Sequence, residues 1–369
     1  MKVIHVIPNL RKGGAERLAL NIVQELSTRP EIEVVLVTFS DQNDYPFLSN
    51  SITWKVIPST FIPSLKGKGI VDVKNLQDFI DGFNPDVVHS HLFESEIVLS
   101  KIKFSNKVKR VFHFHDNMRQ LNKFSLKTLF SKQLLTEYYE RKLVLKSCAE
   151  NALAICISED AYNYAVSVLP NRIQKELLYN AIDLQRFTPS IEPKNRLEIT
   201  IIGSLVDKKG QALAIESIGL LKQKGIDLKL NVLGDGPNLT FLKSLTETLN
   251  VEDQVIFHGN QDFPEQFLQR SLLYLHTAIY EPFGLVLIEA MACGLPVVST
   301  DGFGNRSLID EGENGFMIWE RNAKLIADKL ELLIADQELS VRMGQSAQLF
   351  ARNFEIRQYA DRLIELYRR

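Results

Sequence analysis

The sequence predicts an α/β protein of two doubly wound, Rossmann-like parallel-sheet domains that face a cleft. Three observations support this fold class. The chain has 369 residues, enough for about two domains of roughly 150 residues each. Short runs rich in Val and Ile alternate with longer amphipathic segments, as in βαβ units. The alternation is interrupted once, near residues 184–196, and then resumes.

Strands are predicted where a short apolar run is bounded by polar or turn residues. In the first half these runs cover residues 2–7, 33–39, 52–57, 86–91, 110–115 and 152–158. In the second half they cover residues 197–203, 227–233, 254–258, 272–277 and 296–300. Helices are predicted between consecutive strands.

The interruption at residues 184–196 contains two prolines among charged residues and has neither a helical nor a strand period. We therefore predict a first domain over 1–183, a linker over 184–196 and a second domain over 197–352. An apolar helical stripe marks the tail, 353–369. We expect this tail to form a helix that packs back toward the first domain.

Composition excludes several classes of protein. Hydrophobic residues make up 45% and charged residues 24% of the chain, as in soluble globular proteins, so fibrous and disordered classes do not fit. The longest stretch without Asp, Glu, Lys or Arg has 11 residues, whereas a membrane-spanning helix needs about 20 apolar residues. No signal peptide pattern opens the sequence. We therefore expect a cytoplasmic protein, and we expect Cys148, Cys156 and Cys293 to be buried thiols.

Two glycines follow the first predicted strand at the start of a helix. Gly13 and Gly14, within PNLRKGGAER at residues 8–17, permit a sharp turn and expose backbone N–H groups. Such a loop suits a phosphate group. It is neither the dinucleotide fingerprint nor a Walker A motif, and an ordinary tight turn is the alternative.

Two predicted strands end in paired histidines, His89 with His91 and His113 with His115. Strand alternation sends both members of a pair to the same face. A metal site made of four imidazoles is conceivable, but nothing adds a carboxylate, so no metal site is predicted. We expect His115, with Asp116 beside it, to reach the cleft and hydrogen-bond a sugar hydroxyl or a phosphate.

The loop after the first strand of the second domain carries two cations, Lys208 and Lys209, just before a helix. Lysines beside a helix N-terminus form an anion site, although a solvated lysine pair is the alternative. The next strand ends in GDGP at residues 234–237, where Gly234 and Gly236 allow a ligand to approach the backbone.

The most specific segment is YEPFGLVLIEAMACGLPVV at residues 280–298. Glu281 and Glu289 are eight residues apart, and a Pro-Phe-Gly turn follows the first of them. If a helix begins near Gly284, Glu281 lies just outside it and Glu289 about one and a half turns inside. The two carboxylates are therefore expected to serve different parts of a ligand.

These features resemble those of the family 4 retaining glycosyltransferases with the GT-B fold (glycosyl transferases group 1), over essentially the full chain. The E-x7-E segment and its EAMACGLPVV continuation are the most specific landmark. The landmarks, in the family's order, are GGAER at 13–17, the HSH and HFHD strand ends, LYNAIDLQRF at 178–187, the glycine and KKG loop at 203–210, GDGP at 234–237, E-x7-E at 281–289 and DGFGNRSLIDEGENGF at 301–316.

The resemblance implies transfer of a hexose from a nucleotide-diphosphate sugar of UDP or GDP type, with the anomeric configuration retained. It implies a glycan or lipid-linked acceptor in cell-surface polysaccharide synthesis, an acceptor-side first domain and a nucleotide-sugar-binding second domain. It implies no cofactor, no metal and no nucleic acid partner. The strand-end loops assigned to the donor contain no DxD motif.

The family's site residues fall on matched positions of this chain. The resemblance places His115 at the donor sugar, Lys209 on the diphosphate and Glu281 on sugar hydroxyls as the catalytic group, with Glu289 on the ribose. The other donor-binding residues that it implies are Gly13, Gly14, Ser204, Lys208, Gly234, Gly236, Phe283, Gly284, Leu285 and Val286.

Three positions depart from the family pattern. Ser204 stands where arginine is frequent, so Lys209, with Lys208, is expected to neutralise the leaving diphosphate. Gly302 to Arg306 stand where many members have Gly-Gly-x-x-Glu, and Ala181 stands where glycine is usual. A sugar-nucleotide 2-epimerase and a non-catalytic nucleotide-sugar-binding partner subunit are the alternative functions.

A basic block interrupts an otherwise acidic chain. Residues 101–146 contain 12 Lys or Arg against 3 Asp or Glu, although the whole chain has a net charge of −2. Within it, residues 119–146 place apolar side chains at helical spacing with lysines between them. We expect this surface to dock on anionic membrane, which would make the protein peripheral on the inner face of the membrane. A helix packed on the core with a solvated basic face is the alternative.

Overall fold

A computed structural model describes residues 1–62, 70–117, 152–190 and 197–369. These residues form two compact units, Met1–Ala181 together with Ile356–Arg369, and Ile182–Glu355. Residues 184–190 of the predicted linker belong to the second unit, and residues 191–196 lie outside the described residues.

The first unit is built around a seven-stranded sheet in the order β3-β2-β1-β6-β7-β8-β9, in which all pairings are parallel. A separate antiparallel pair, β4 with β5, lies outside it. The elements are β1 (Lys2–Ile7), α1 (Gly14–Ser27), β2 (Glu33–Thr38), α2 (Pro46–Ser49), β3 (Trp54–Val56), β4 (Thr60–Ile62), β5 (Ile70–Asp72), α3 (Lys74–Phe83), β6 (Val87–His91), α4 (Leu92–Leu99), β7 (Lys109–Phe114), β8 (Ala152–Cys156), α5 (Glu159–Val168) and β9 (Gln174–Leu177).

The second unit contains a six-stranded parallel sheet in the order β12-β11-β10-β13-β14-β15. Its elements are β10 (Glu198–Ile202), a 3₁₀ turn (Asp207–Lys209), α6 (Gln211–Gln223), β11 (Lys229–Leu233), α7 (Leu239–Leu249), β12 (Val255–Gly259), α8 (Glu265–Arg270), β13 (Tyr274–His276), α9 (Leu285–Ala292), β14 (Val297–Thr300), a 3₁₀ turn (Arg306–Leu308), β15 (Gly315–Ile318), α10 (Ala323–Ala335), α11 (Gln337–Ala351) and a 3₁₀ turn (Arg352–Phe354).

The chain ends in α12 (Ile356–Arg368), which belongs to the first unit. Its buried face shares one hydrophobic cluster with α1 and with the first unit's sheet. The apolar residues of that face recur at helical spacing, which is why burying one side of the helix removes nearly all of them from water. The buried residues are Ile356, Tyr359, Ala360, Leu363, Ile364, Leu366 and Tyr367.

The predicted fold class is confirmed, because both sheets are parallel and both are flanked by helices that follow their strands. Every strand predicted from the sequence overlaps an observed one. The strands β4, β5, β9 and β15 were not predicted. Within the described part of the chain, no helix is both long and apolar enough to cross a membrane.

Candidate active site

Three loops of the second unit meet at the carboxyl ends of its central strands. The sheet order reverses direction between β10 and β13, and ligands of doubly wound sheets bind outside such a switch point. The Ile279 amide donates to the Lys208 carbonyl at 2.8 Å, and the Glu281 amide donates to the Gly302 carbonyl at 2.9 Å. Main-chain bonds therefore hold the loops after β10, β13 and β14 together.

A charged cluster lies where these loops meet. Oε2 of Glu281 is 2.5 Å from Nζ of Lys209 and 3.2 Å from Nε2 of His276. The side chains of Lys209 and Glu281 are 18% and 10% exposed, and that of His276 is 2% exposed. Lys209 and Glu281, two of the predicted catalytic residues, are thus in direct contact. His276, the third member of this cluster, was not predicted.

The surroundings fix the charges of this cluster. Burial raises the pKa of Glu281, but the positive charge of Lys209 and the contact with His276 outweigh it and hold that pKa well below its ordinary value. Burial lowers the pKa of His276, and its contact with Glu281 opposes this only in part. At neutral pH the cluster therefore contains a carboxylate beside a neutral imidazole.

Two glycines shape the loops around the charged cluster. Gly210 has a φ of 65°, and a Cβ there would lie 2.2 Å from the Thr277 carbonyl oxygen. Gly284 has a φ of 107° and is the N-cap of α9, as the sequence predicts. The amides of Leu285 and Val286 lie in the first turn of α9, where N–H groups have no acceptor within the helix. They are available to an anion at the end of the helix.

The remaining predicted residues of the second unit differ in exposure. Ser204 and Lys208 are exposed. Gly234 and Gly236 form the turn after β11, and this turn is bonded to the loop after β10 through the Leu205 amide and the Asp235 carbonyl at 2.9 Å. The loops after β10 and β11, which both carry predicted donor-binding residues, are therefore neighbours in the structure.

Two predicted residues, Phe283 and Glu289, are almost completely buried. The Phe283 ring is 1% exposed and packs on the Phe354 ring, with centroids 6.0 Å apart. The ring belongs to the core, and the role of Phe283 at the donor stays a prediction that only its main chain is placed to fulfil. Glu289 is 1% exposed and lies in the second turn of α9. The helix continues past it because residues 285–292 are apolar apart from this one carboxylate.

The departure at residues 302–306 has a structural explanation. The buried Asn305 accepts the Gly302 amide at 2.9 Å and donates to Ser299 Oγ at 2.8 Å, which ties the loop to β14. Phe303 adopts a φ of 73°, an uncommon conformation for a residue with a side chain. Gly304 donates its amide to the Glu281 carbonyl at 3.0 Å. An asparagine thus positions the strand-end loop against Glu281.

Arg321 adds a positive charge that the sequence reasoning missed. Its Nη1 donates to the Thr277 carbonyl at 3.1 Å, and its Nη2 lies beside Gly210. No motif signals this arginine, because it follows β15 and reaches the site only through the fold.

In the first unit, the glycine loop is anchored by a tyrosine. Tyr45 Oη accepts the Gly13 amide at 2.9 Å and donates to the Gly13 carbonyl at 2.9 Å. The Gly13 N–H is therefore occupied by Tyr45, and donor binding by this loop stays a prediction. Gly14 is the first residue of α1, so its N–H has no acceptor within the helix.

The paired histidines form one buried group on one face of the sheet, as strand alternation predicts. The rings of His89 and His91 stack at 4.6 Å, and those of His113 and His115 stack at 4.1 Å. His115 is half-buried and the other three are buried. Nε2 of His115 lies 3.0 Å from Nδ1 of His91. The fifth member, His5 on β1, was not singled out in the sequence.

Residues 118–151 lie outside the described residues. The predicted membrane-docking surface at 119–146 and Cys148 fall within this range. Cys156 and Cys293 are buried free thiols, which confirms the prediction for these two.

Two family models match this chain, one over each half. The model described as Glycosyltransferase Family 4 matches residues 12–186. The model described as Glycosyl transferases group 1 matches residues 185–350. Together they extend from the glycine loop to the last turn of α11.

Curated proteins similar to this chain include two bacterial enzymes. N-acetylgalactosamine-N,N'-diacetylbacillosaminyl-diphospho-undecaprenol 4-alpha-N-acetylgalactosaminyltransferase of Campylobacter jejuni is 28% identical over 95% of this chain and 94% of its own length. N-acetyl-alpha-D-glucosaminyl L-malate synthase of Bacillus anthracis is 38% identical, but over only 33% of this chain and 32% of that protein.

Solved structures show the same fold. The Anabaena protein HepE, crystallised in complex with UDP and glucose, superposes with a TM-score of 0.81 at 21% identity over 99% of both chains. WaaG, a glycosyltransferase involved in lipopolysaccharide biosynthesis, superposes with a TM-score of 0.74 at 18% identity over 99% of both chains.

Proposed function

This chain belongs to family 4 of the GT-B glycosyltransferases, and we propose that it is a retaining, metal-independent hexosyltransferase whose donor is a nucleotide-diphosphate sugar. Glycosyltransferase activity follows from the family. The choice of donor, the stereochemistry and the acceptor are the proposed part.

The observation that carries the proposal is the contact of Lys209 with Glu281 beside the first turn of α9. Cleavage of the anomeric C–O bond leaves negative charge on the nucleoside diphosphate and positive charge on the sugar. A lysine and free helix amides stabilise the leaving diphosphate, while an ionised carboxylate holds sugar hydroxyls next to it. The contacting side chains of Lys209 and Glu281 thus place a positive charge beside the diphosphate and a negative charge beside the sugar.

The bonds of the proposed reaction balance without a cofactor. The acceptor hydroxyl oxygen forms a bond to the anomeric carbon on the face from which the diphosphate leaves. The hydroxyl proton passes to the departing phosphate oxygen. Lys209, with Lys208 in the same loop and Arg321 in the loop after β15, supplies positive charge in place of the arginine that Ser204 replaces. No acidic metal motif is needed for that charge.

The relatives support a nucleotide-sugar donor and a surface-glycan role. HepE binds UDP and glucose, and the Campylobacter enzyme is named for an acceptor linked to diphospho-undecaprenol. We propose a UDP- or GDP-type hexose donor and a glycan or lipid-linked acceptor for cell-surface polysaccharide synthesis. We also propose that the chain works on the cytoplasmic side of the membrane.

Donor and product analysis tests the proposed function. Purified protein is incubated with UDP- and GDP-hexoses, with and without undecaprenyl-diphosphate-linked acceptors, and the products are separated by mass spectrometry. We expect acceptor-dependent transfer of the sugar, with unchanged anomeric configuration, both before and after treatment with EDTA.

Other products would identify the alternatives. A rearranged or hydrolysed sugar formed without an acceptor would indicate a 2-epimerase. Donor binding without turnover would indicate a non-catalytic partner. Activity lost on chelation and restored by manganese would contradict metal independence.

The basic block motivates a separate prediction about the membrane. Each basic residue near an anionic surface contributes ~1 kcal/mol, and salt screens this attraction. Cosedimentation with liposomes should therefore require acidic lipid and weaken as salt is raised. Replacing Lys123, Lys127 and Lys132 by glutamate should abolish it without changing donor affinity.

The matched control makes the same charge change elsewhere. Lys229, Lys243 and Lys324 are exposed in the second unit, and their replacement by glutamate should leave most of the lipid binding intact. Equal binding to neutral and acidic liposomes would instead indicate a soluble acceptor.

A further inference from the structure

The first unit contains a buried row of polar rings that reaches the candidate sugar contact, His115. The members come from β1, from the ends of β6 and β7 and from the C-terminal helix α12, and all but His115 are almost completely buried. They are the imidazoles of His5, His89, His91, His113 and His115 and the phenol of Tyr367.

Consecutive members of this histidine row are joined by single contacts of hydrogen-bond length. The row begins at His115, whose Nε2 lies 3.0 Å from Nδ1 of His91, and Nε2 of His91 lies 2.9 Å from Nδ1 of His5. Nε2 of His5 lies 3.2 Å from Oη of Tyr367, and the same Oη lies 2.5 Å from Nδ1 of His89. The row ends at His113, whose Nδ1 lies 3.2 Å from Nε2 of His89. The row is therefore continuous from one end to the other.

The protons along the histidine row are coupled. A neutral imidazole has one N–H donor and one acceptor nitrogen, and His5, His89 and His91 each use both nitrogens within the row. Burial lowers the pKa of His5 and of His115 to about 3, so the rings stay neutral near pH 7. On each side of Tyr367 the bonds must then point in one direction, because a reversal at a histidine would oppose two N–H groups or two lone pairs. Only the phenol could accept from both sides, so its own proton decides the direction of the whole row.

The two contacts of Tyr367 indicate the direction. O–H donors form shorter hydrogen bonds than N–H donors. The 2.5 Å contact to His89 is therefore the one in which the phenol donates. The 3.2 Å contact is then the one in which Nε2–H of His5 donates to the phenol oxygen. Every proton in the row consequently points away from His115.

The two ends of the row differ in access. Nε2 of His113 is buried and has no hydrogen-bond partner among the described residues. His115 is half-buried, and within the same residues its one hydrogen bond is the contact of Nε2 with His91. With Nε2 of His115 donating into the row, Nδ1 is left as a bare acceptor at the accessible end.

We propose that Tyr367, acting through His5 and His91, fixes His115 in the Nε2–H tautomer, so that its Nδ1 accepts a hydrogen bond from a hydroxyl of the donor sugar. The role of the sugar rests on the proposed function, whereas the tautomer does not. Tyr367 is thus a positioning residue, 252 positions away in sequence. A ligand group that only accepts hydrogen bonds, such as a phosphate oxygen, cannot form a hydrogen bond with this unprotonated nitrogen.

The same histidines include two trios whose ring nitrogens lie within 4.8 Å of one another, His5 with His89 and His91, and His91 with His113 and His115. In a tetrahedral zinc site with Zn–N bonds of 2.0–2.1 Å, neighbouring nitrogens are about 3.4 Å apart. The observed contacts run pairwise along a row and do not converge on one point. They fit N–H···N bonds better than a shared metal.

The test is a direct measurement of the tautomer. Protein with ¹⁵N-labelled histidine is studied by long-range ¹H–¹⁵N correlation spectra at pH 7 without substrate, and a His115→Gln variant assigns the His115 signals. We expect a bare Nδ1 and a protonated Nε2 in the wild type. In Tyr367→Phe the row is cut, so His115 should show a mixture of both tautomers.

The same helix offers a matched control. Tyr359 is also buried on α12, and among the described residues its hydroxyl has no hydrogen-bond partner. Tyr359→Phe should therefore leave the His115 signals unchanged. If Tyr367→Phe does not fold, His5→Phe cuts the row one step nearer and should give the same mixture.

Three outcomes would overturn the proposal. They are an Nδ1–H tautomer of His115 in the wild type, an unchanged tautomer when the row is cut, and stoichiometric zinc in the purified protein.

A kinetic measurement adds a second readout. If half of the molecules hold the wrong tautomer, KM for the donor should rise about two-fold in Tyr367→Phe, with kcat nearly unchanged. Because the spectra need no substrate, failure of the proposed function leaves the tautomer test intact.

Discussion

Replacing Lys209 by alanine is expected to lower kcat/KM for the nucleotide sugar by about 10²-fold or more, the usual cost of removing one well-placed group that stabilises developing charge. Ser204 occupies the position where an arginine would share this task. Lys208 is exposed and solvated, so Lys209 carries most of it. The measurement is steady-state kinetics with the donor varied at a saturating acceptor concentration.

A control variant separates this effect from loss of any lysine ion pair. Lys224 lies outside the site and pairs with Glu331 and Asp328 on the surface. Lys224→Ala should keep near wild-type kinetics, because exposed ion pairs contribute little. Turnover in Lys209→Ala within a few-fold of wild type would show that the leaving diphosphate is stabilised elsewhere, with Arg321 the first residue to examine.

The sequence predicts strands best where they are buried. β1 and β14 each pair with a strand on both sides and are buried apart from Lys2, and runs of Val or Ile mark both of them. β9 reads Gln-Lys-Glu-Leu at the sheet edge, and its exposed faces leave no apolar signal. β15 follows an acidic turn and begins with a glycine, a residue that is depleted in strands, so its sequence carries a weak strand signal.

The site could be predicted only where a motif marks it. The E-x7-E spacing located Glu281 correctly at the mouth of α9. It could not show that Glu281 contacts Lys209, because the pairing depends on two loops of the sheet meeting. His276 ends a short strand with no neighbouring signal, and Asn305 acts through its side-chain amide, which bonds to Gly302 and Ser299. Both become visible only when β13 and β14 lie side by side.

The histidine row shows the same limit. Strand alternation correctly places the members of each pair on one face. The connection between the pairs depends on His5 from β1 and Tyr367 from α12, which are 362 residues apart. No local period links them, and the register of parallel strands brings them together.

Glu281→Gln is expected to lower kcat/KM by about 10²-fold as well, because the amide keeps the shape of the side chain but not the negative charge that we propose holds the sugar hydroxyls. The variant should also be less stable than wild type. Lys209 loses its partner while only 18% exposed, and an uncompensated buried charge is strongly destabilising. Circular dichroism should still show a folded protein.

The pH dependence of this destabilisation follows from the lowered pKa of Glu281. A carboxyl whose pKa is lowered by folding stabilises the protein fully above its unfolded value, here 4.5, and loses that contribution as the pH falls through the folded value. The difference in Tm between wild type and Glu281→Gln should therefore be constant from about pH 5.5 to 8 and shrink below about pH 4.5. Glu265 supplies the matched control. Its Oε2 lies 2.9 Å from Nη2 of Arg186, and this ion pair is not part of the charged cluster. Glu265→Gln should lower Tm and leave kcat/KM near wild type, and equal loss of activity in both variants would mean that stability, and not the charge at Glu281, limits turnover.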